Sequence, residues 1–422
     1  MASDRNEPTD CNRRSPIAAR KSPEAFWRRL AQPLTRGHDH RTPCFLFSCE
    51  PVAAGLKILT SHFEGLPVTH WLSVKTLPLP ALVSWWIAEG RPVEVVSEME
   101  LQLALRLGCP TERILVNGPA KHRWLARHPV PRLNVHFDSA EEIRLLGTLA
   151  RGLQWRCGLR ILTAEERDSD TPQLPTQFGI SPSELPVAMA LLKQRRLTVS
   201  TLHFHLGSHV PQADHICRAM NEVAGLALHY GLTPSVLDIG GGFPTSEVRG
   251  RGGRRLDAEF SMGKVADALR SVRKRCPSLR EFWLENGRWL SARSGALLIR
   301  VLDIKERREH RHVICDGGRT MQALMSLWEH HSLLTIPNRS GPECATTVNG
   351  PTCMSFDQLT RRPLPSGLKR GDHLLWLDAG AYHLPWETRF SHGLCAVYWH
   401  DGKTTRCVRE AETFERWFDH WV

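Results

Sequence analysis

The stretch Trp71-Leu-Ser-Val-Lys75-Thr-Leu-Pro78 decides how the rest of this 422-residue chain is read. An apolar β-type run ends in one lysine, and a Pro-containing segment turns the chain directly afterwards. An ammonium at the exit of a buried strand loses hydration unless something pairs with it. The ordinary solution is a side chain that snorkels to water. The other is chemical: burial lowers the pKa of the amine and makes it a nucleophile towards an aldehyde. A partner for Lys75 elsewhere in the chain decides between them.

Outward from this stretch, β-type runs alternate with helical patterns. Cys44–Cys49 precedes a helical stretch at 52–63, and the strand ending at Lys75 precedes 79–89. Runs at 93–97, 114–117, 133–137, 157–162, 197–205, 236–239 and 282–285 follow, each separated from the next by helical or loop sequence. An Asp138-Ser139 start signal opens the helix that runs to Leu149. So many short strands regularly interrupted by helices predict parallel βαβ units, and the repeat number fits an α/β fold of the (β/α)8 barrel kind. From Ala296 onward, alternating runs at 297–304, 374–377 and 394–400 sit between Gly, Pro and Asp turns and predict a mainly antiparallel β domain. The expected division is a disordered arm over 1–25, a barrel over 26–295 and a β domain over 296–422, with 26–42 able to pack on the latter.

Composition narrows the function classes. No apolar run approaches the roughly 20 residues that span a bilayer, and the polar N-terminus lacks an apolar signal core, so a cytoplasmic protein is expected. The twelve cysteines contain no Cys-x-x-Cys pair, which argues against a zinc ribbon and for reduced thiols. The net charge of +11 is diffuse apart from Arg249-Gly-Arg-Gly-Gly-Arg-Arg255, and no aromatics interleave there, so nucleic acid is not the expected partner.

Active sites of such barrels lie at the carboxyl ends of the strands. Lys75 stands at such an exit, and so do His205 in His203-Phe-His-Leu-Gly-Ser208, the turn Gly240-Gly-Gly242, and Glu285 with Arg288 in Glu285-Asn-Gly-Arg288. A triglycine turn lets backbone N–H groups converge on an anion, although alone it is only a loop. His203 and His205 share a strand face and could share a metal; with no third ligand at matching spacing, an imidazole lying flat on an aromatic cofactor is the better use, and no metal is expected.

The ordered set Ser-Val-Lys75, His-Phe-His205-Leu-Gly-Ser208, Asp238-Ile-Gly-Gly-Gly242-Phe, Glu285-Asn-Gly-Arg288, Gly350-Pro-Thr-Cys353 and Gly380-Ala-Tyr382 resembles the fold-type III pyridoxal-phosphate decarboxylases, the relatives of diaminopimelate and ornithine decarboxylase. The similarity runs from about Pro43 to the C-terminus. It implies a homodimer acting on a small-molecule amino-acid substrate, with active sites shared between one subunit's barrel and the other's β domain. By position, Lys75 would hold pyridoxal 5'-phosphate as an imine and His205 would stack on its ring. Ser208, Gly240, Gly241, Gly242, Arg288 and Tyr382 would surround the phosphate, and Glu285 would face the pyridine nitrogen. Cys353 and Asp357 would reach in from the partner subunit, with Cys353 placed to protonate the carbanion. A carboxylate beside the ring nitrogen favours decarboxylation over racemisation, because it strengthens the electron sink. An amino-acid racemase or epimerase on the same scaffold, and a non-catalytic decarboxylase-like regulator, are the alternatives.

The chain departs from the family pattern on the substrate side. The family usually follows the cysteine with an acid, and here Met354 stands there; Leu324 and Trp328 replace the Arg and Tyr that hold a distal carboxylate in diaminopimelate decarboxylases. Glu94 replaces the usual Asp, a mild change. Losing three ionic partners disfavours a substrate charged at its far end. The expected substrate is therefore an amino acid other than diaminopimelate or ornithine, larger or less charged, or attached to a carrier. Arg319 is a candidate new contact.

Overall fold

The computed structural model describes residues 22–36, 41–167, 172–246, 248–250, 252–322 and 329–422. Leu324, Trp328 and the first 21 residues of the expected arm lie outside them. The rest of that arm is helical: a helix spans Pro23–Ala31, started by Ser22, whose hydroxyl accepts the Ala25 N–H at 3.2 Å, and by proline in its first turn.

Strand β1 (Cys44–Ser48) leads into the helix Cys49–His62. Then follow β2 (Val68–Ser73), β3 (Val93–Val95), β4 (Ile114–Val116), β5 (Asn134–Phe137), β6 (Arg156–Arg160), β7 (Thr201–His203), β8 (Val236–Asp238), the two-residue β9 (Arg249–Gly250) and β10 (Glu281–Asn286). Strands β2 to β8 and β10 close into a parallel eight-stranded barrel. The start signal expected at Ser139 is in place, its hydroxyl accepting the Glu142 N–H, and Ser97 caps another helix in the same way through the Glu100 N–H.

Period-two alternation sets what fills the barrel, and it changes character along the strands. On β10 Trp283 is followed two residues later by Glu285, on β8 Val236 by Asp238, and on β4 Leu115 by Asn117 beyond the strand end. Trp71, Leu115, Val236 and Trp283 form one apolar cluster, with the two indoles 4.6 Å apart. The residues one step further along are polar and point to the carboxyl ends. Gly158 on β6 makes room for this layer, since a Cβ there would run into the His136 ring.

The remaining strands are β11 (Gly295–Arg307), β12 (His310–Cys315), β13 (Glu329–His330), β14 (Leu333–Ile336), β15 (Glu343–Asn349), β16 (Gln358–Pro365), β17 (His373–Trp376), β18 (Ala396–His400) and β19 (Thr405–Arg409). Most pair antiparallel; β1 with β18 and β12 with β15 are parallel. The sequence placed β1 in the barrel alternation, whereas it pairs with β11 and β18 in this second sheet. Its two faces explain why the pattern was silent. Cys44 and Leu46 pack against Trp27, Leu30, Ala296 and Leu375, while Phe45 and Phe47 join the main core. A strand buried on both faces reads alike in a barrel and in a covered sheet. No helix among the described residues is long and apolar enough to cross a membrane.

Candidate active site

Lys75 lies in a single 3-10 turn, Val74–Thr76, directly after β2. Three contacts fix that turn. The Thr76 hydroxyl donates to Ser73 O at 2.8 Å and lies 3.0 Å from Ser291 Oγ. Gly287 is needed opposite it, because a Cβ would meet the Thr76 methyl. From the second sheet's side, Tyr382 donates its backbone N–H to Thr76 O at 2.8 Å, and Tyr382 itself holds a left-handed φ of +63°. A non-glycine residue in that region stores roughly 1–3 kcal/mol of strain, a common feature of site residues.

The Lys75 ammonium donates to both Glu94 oxygens, at 3.2 and 3.3 Å. Its side chain keeps 32% exposure while Glu94 has none. Burial acts to lower the pKa of the amine, but Glu94 and Glu285 outweigh it and the net shift is upward. The expectation of an amine lowered by burial is thereby corrected: a buried carboxylate holds Lys75 charged.

His203 and His205 part company. His203 ends β7 and turns into the barrel; His205 lies beyond the strand end and accepts the Gly241 N–H on Nδ1 at 3.1 Å. That bond makes Nδ1 an acceptor, and burial together with Lys75 holds the imidazole well below its usual pKa, hence neutral. The triglycine turn is pressed against this ring: a Cβ on Gly240 would come within 2.6 Å of His205 Nδ1, on Gly241 it would meet Glu285 O, and on Gly242 it would meet Gly207 O. The Gly240 N–H goes to Asp238 Oδ1 at 2.9 Å. Two of the three N–H groups expected to face an anion therefore serve the protein's own side chains. Ser208 is exposed in the loop after β7.

Glu285 is buried, accepts from Asn117 Nδ2, and is pushed well above the carboxylate range by burial and by Asp238. Arg288 opens a short helical turn, lies 4.7 Å from the Tyr382 ring centre, and pairs with Glu329. Glu329 is also bonded to His209 and His331, each at 2.7 Å. This network and Asn117 were missed from sequence. Asn117 sits at a strand exit, which is a usable signal; Glu329 carries none.

Cys353, Met354, Asp357 and Arg319 occupy two loops at the end of the second sheet, after β15 and β12. Cys353 is exposed, and no hydrogen bond or ion pair among the described residues ties it to Lys75. Asp357 is 2% exposed, and its oxygens accept from Arg319 N at 2.7 Å, Thr352 N at 3.1 Å and Thr352 Oγ1 at 2.6 Å. Gly318 and Gly350 lie so close to it that a Cβ on either would strike the carboxylate. Asp357 thus joins the loop of Cys353 to the loop of Arg319. Arg319 lies 6.0 Å over the Phe356 ring. Met354 is half-buried.

An amine at 75, a neutral imidazole at 205, a glycine cradle without room for a Cβ, a buried carboxyl at 285 and a guanidinium at 288 converge at one end of the barrel. That donor set fits pyridoxal phosphate: an amine for its aldehyde, a flat ring for its face, and an acid for its nitrogen.

The family described as "Pyridoxal-dependent decarboxylase, pyridoxal binding domain" matches residues 55–292. The chain is 30% identical over 359 residues to diaminopimelate decarboxylase of Actinosynnema pretiosum subsp. auranticum, covering 81% of this chain and 80% of that one. Its fold superposes with a TM-score of 0.78 on the diaminopimelate decarboxylase of Helicobacter pylori complexed with L-lysine, at 22% identity, over 94% of this chain and 99% of that one. It superposes at 0.73, with 20% identity, on the arginine decarboxylase of Paramecium bursaria Chlorella virus, over 88% and 100% of the two chains.

Proposed function

The chain belongs to the fold-type III pyridoxal-dependent decarboxylases, in the diaminopimelate decarboxylase family, and from that premise we propose that its substrate is an amino acid other than diaminopimelate or ornithine. That it is a pyridoxal-phosphate-dependent amino-acid decarboxylase follows from the family itself. The bound cofactor withdraws the electron pair that loss of CO2 leaves on the substrate's α-carbon.

The chain's own residues do the rest. Lys75, set by its pinned turn and by Glu94, binds the cofactor covalently and is available for proton transfer at the α-carbon. His205, a neutral imidazole oriented by the Gly241 N–H, would lie against the ring. Glu285 would serve the ring nitrogen from the barrel wall. Gly242, Ser208, Arg288 and Tyr382 would hold the phosphate, with Arg288 steered by Glu329. Cys353 donates a proton to the α-carbon of a neighbouring subunit's site in a homodimer, and Asp357 holds its loop for that task.

One observation carries the substrate reading: the half-buried Met354 takes the place of the acid that would hold a distal ammonium. Leu324 and Trp328 add to it by sequence, since neither can pair with a distal carboxylate. The test is CO2 release from a panel of amino acids that varies only the far end of the side chain. Uncharged or bulky side chains are expected to exceed diaminopimelate and ornithine in kcat/KM; the reverse ranking defeats the reading. Met354→Asp should raise kcat/KM for substrates with a distal ammonium by about 10–100-fold, the scale of one hydrogen bond to a charged group.

Gly241→Ala tests the cradle. A methyl forced against Glu285 O cannot be relieved by moving a side chain, so a destabilisation of about 1–3 kcal/mol and a clear loss of cofactor affinity are expected. Thermal melting with and without added cofactor measures both.

A further inference from the structure

Beneath the site, His136, His203, Asp238 and Glu285 each bring a side-chain nitrogen or oxygen within 4.8 Å of the others, and all four are buried. Their bonding is incomplete. Asp238 Oδ1 takes the Gly240 N–H, while Asp238 Oδ2 and His203 Nδ1 are buried without a hydrogen-bond partner. His203 Nδ1 stands 3.5 Å from Asp238 Oδ1 and 3.7 Å from Glu285 Oε1, between the two carboxyl groups. The His136 ring stacks on that of His203 at 4.9 Å and sends Nδ1 to Asn117 Oδ1 at 3.1 Å.

Two carboxyl groups this close in a dry interior do not both ionise; the pair keeps one proton. The groups around them agree. Burial holds His136 and His203 well below their usual pKa, so neither imidazole supplies a compensating charge. Burial raises both carboxyls, and Asp238 raises Glu285 further. The other charged groups that face the pair are Glu94 from β3, which adds to the repulsion, and Lys75 from the turn after β2, which opposes it. Arg160 at the end of β6 and Lys121 after β4 act on the two imidazoles and favour their neutral form.

We propose that Asp238 is a positioning residue that forms, with Glu285, one carboxyl dyad carrying a single proton and presenting it at the ring nitrogen of the cofactor. The inference rests on the reading that Glu285 faces that nitrogen. In the step, the O–H bond of Glu285 would break as the nitrogen lone pair takes the proton, and the cationic ring would then supply the countercharge that lets Glu285 stand as a carboxylate beside Asp238. No oxidant or co-reactant enters. Asp238 contributes its fixed negative charge, which raises the proton affinity of the whole unit and so keeps the ring protonated to higher pH.

The test loads the enzyme with pyridoxal phosphate labelled with 15N in the ring and follows that nitrogen's chemical shift through a pH titration. Asp238→Asn removes the charge and keeps the size, and is expected to lower the pH at which the nitrogen loses its proton by about 1–3 units. Coincident titrations for the wild type and a folded Asp238→Asn would overturn the proposal, since a merely structural Asp238 leaves the shift unmoved. Infrared difference spectra of the cofactor-free chain, in which the dyad keeps its proton, supply a second arm that needs no Asp238 variant. Glu285→Gln should lose a carboxylic-acid C=O band at neutral pH, and a spectrum without that loss also overturns the dyad. The outcomes separate from the substrate reading: a shifted titration in an enzyme that ranks diaminopimelate first sustains the dyad and defeats only the substrate reading. A chain that binds no cofactor defeats the site reading while the infrared arm still decides the dyad.

Discussion

Lys75→Ala is expected to abolish CO2 release, by at least about 10³-fold, and to remove the visible absorbance of the bound cofactor. The size of the effect follows from what the side chain does and from what it does not do. Lys75 is a third exposed and its side chain hydrogen-bonds to Glu94, so the residue contributes little packing. Its loss leaves a fully buried carboxylate without its cation, which would cost about 3–5 kcal/mol if Glu94 stayed ionised. The double variant Lys75→Ala/Glu94→Gln removes the stranded charge altogether. It should melt close to the wild type and remain just as inactive. Activity in Lys75→Ala within tenfold of the wild type, in a preparation free of wild-type chain, would sink the assignment of Lys75.

The reach of the sequence can be judged from the same residues. That Lys75, His205, Glu285 and Arg288 gather at one end of the barrel was legible because strand exits in a parallel barrel are points of convergence, and the alternation of strands and helices located those exits. The sign of the Lys75 shift was not legible, because it depends on Glu94, a barrel residue 19 positions away whose inward face only the closed sheet defines. His203 and His205 looked like a pair from their spacing of two, but the strand stops between them, and each then finds different company. Strand β1 failed for a related reason: burial on both faces erases the alternation that would have told one sheet from another. Glu329 could not have been found at all, since its meaning lies in Arg288, His209 and His331, which only tertiary structure gathers. Asp357 is a different case: its burial and three accepted hydrogen bonds tie two loops together, which its motif alone does not show.

Cys353→Ala carries the second large effect, a fall in turnover of about 10²–10⁴-fold with cofactor binding intact. Cys353 sits exposed on the loop after β15, and Asp357 anchors that loop. On the proposed reading this thiol serves another subunit's site, and a mixing experiment is decisive for it. Lys75→Ala and Cys353→Ala chains are each inactive alone. Unfolded together and reassembled at equal amounts, half of the resulting dimers are mixed, and each mixed dimer holds one site with both Lys75 and Cys353 and one site with neither. Recovery of up to about a quarter of wild-type activity is therefore expected for a symmetric dimer with shared sites. If Cys353 served the barrel of its own chain, every site in the mixture would lack one group, and no activity would return at any ratio of the two chains.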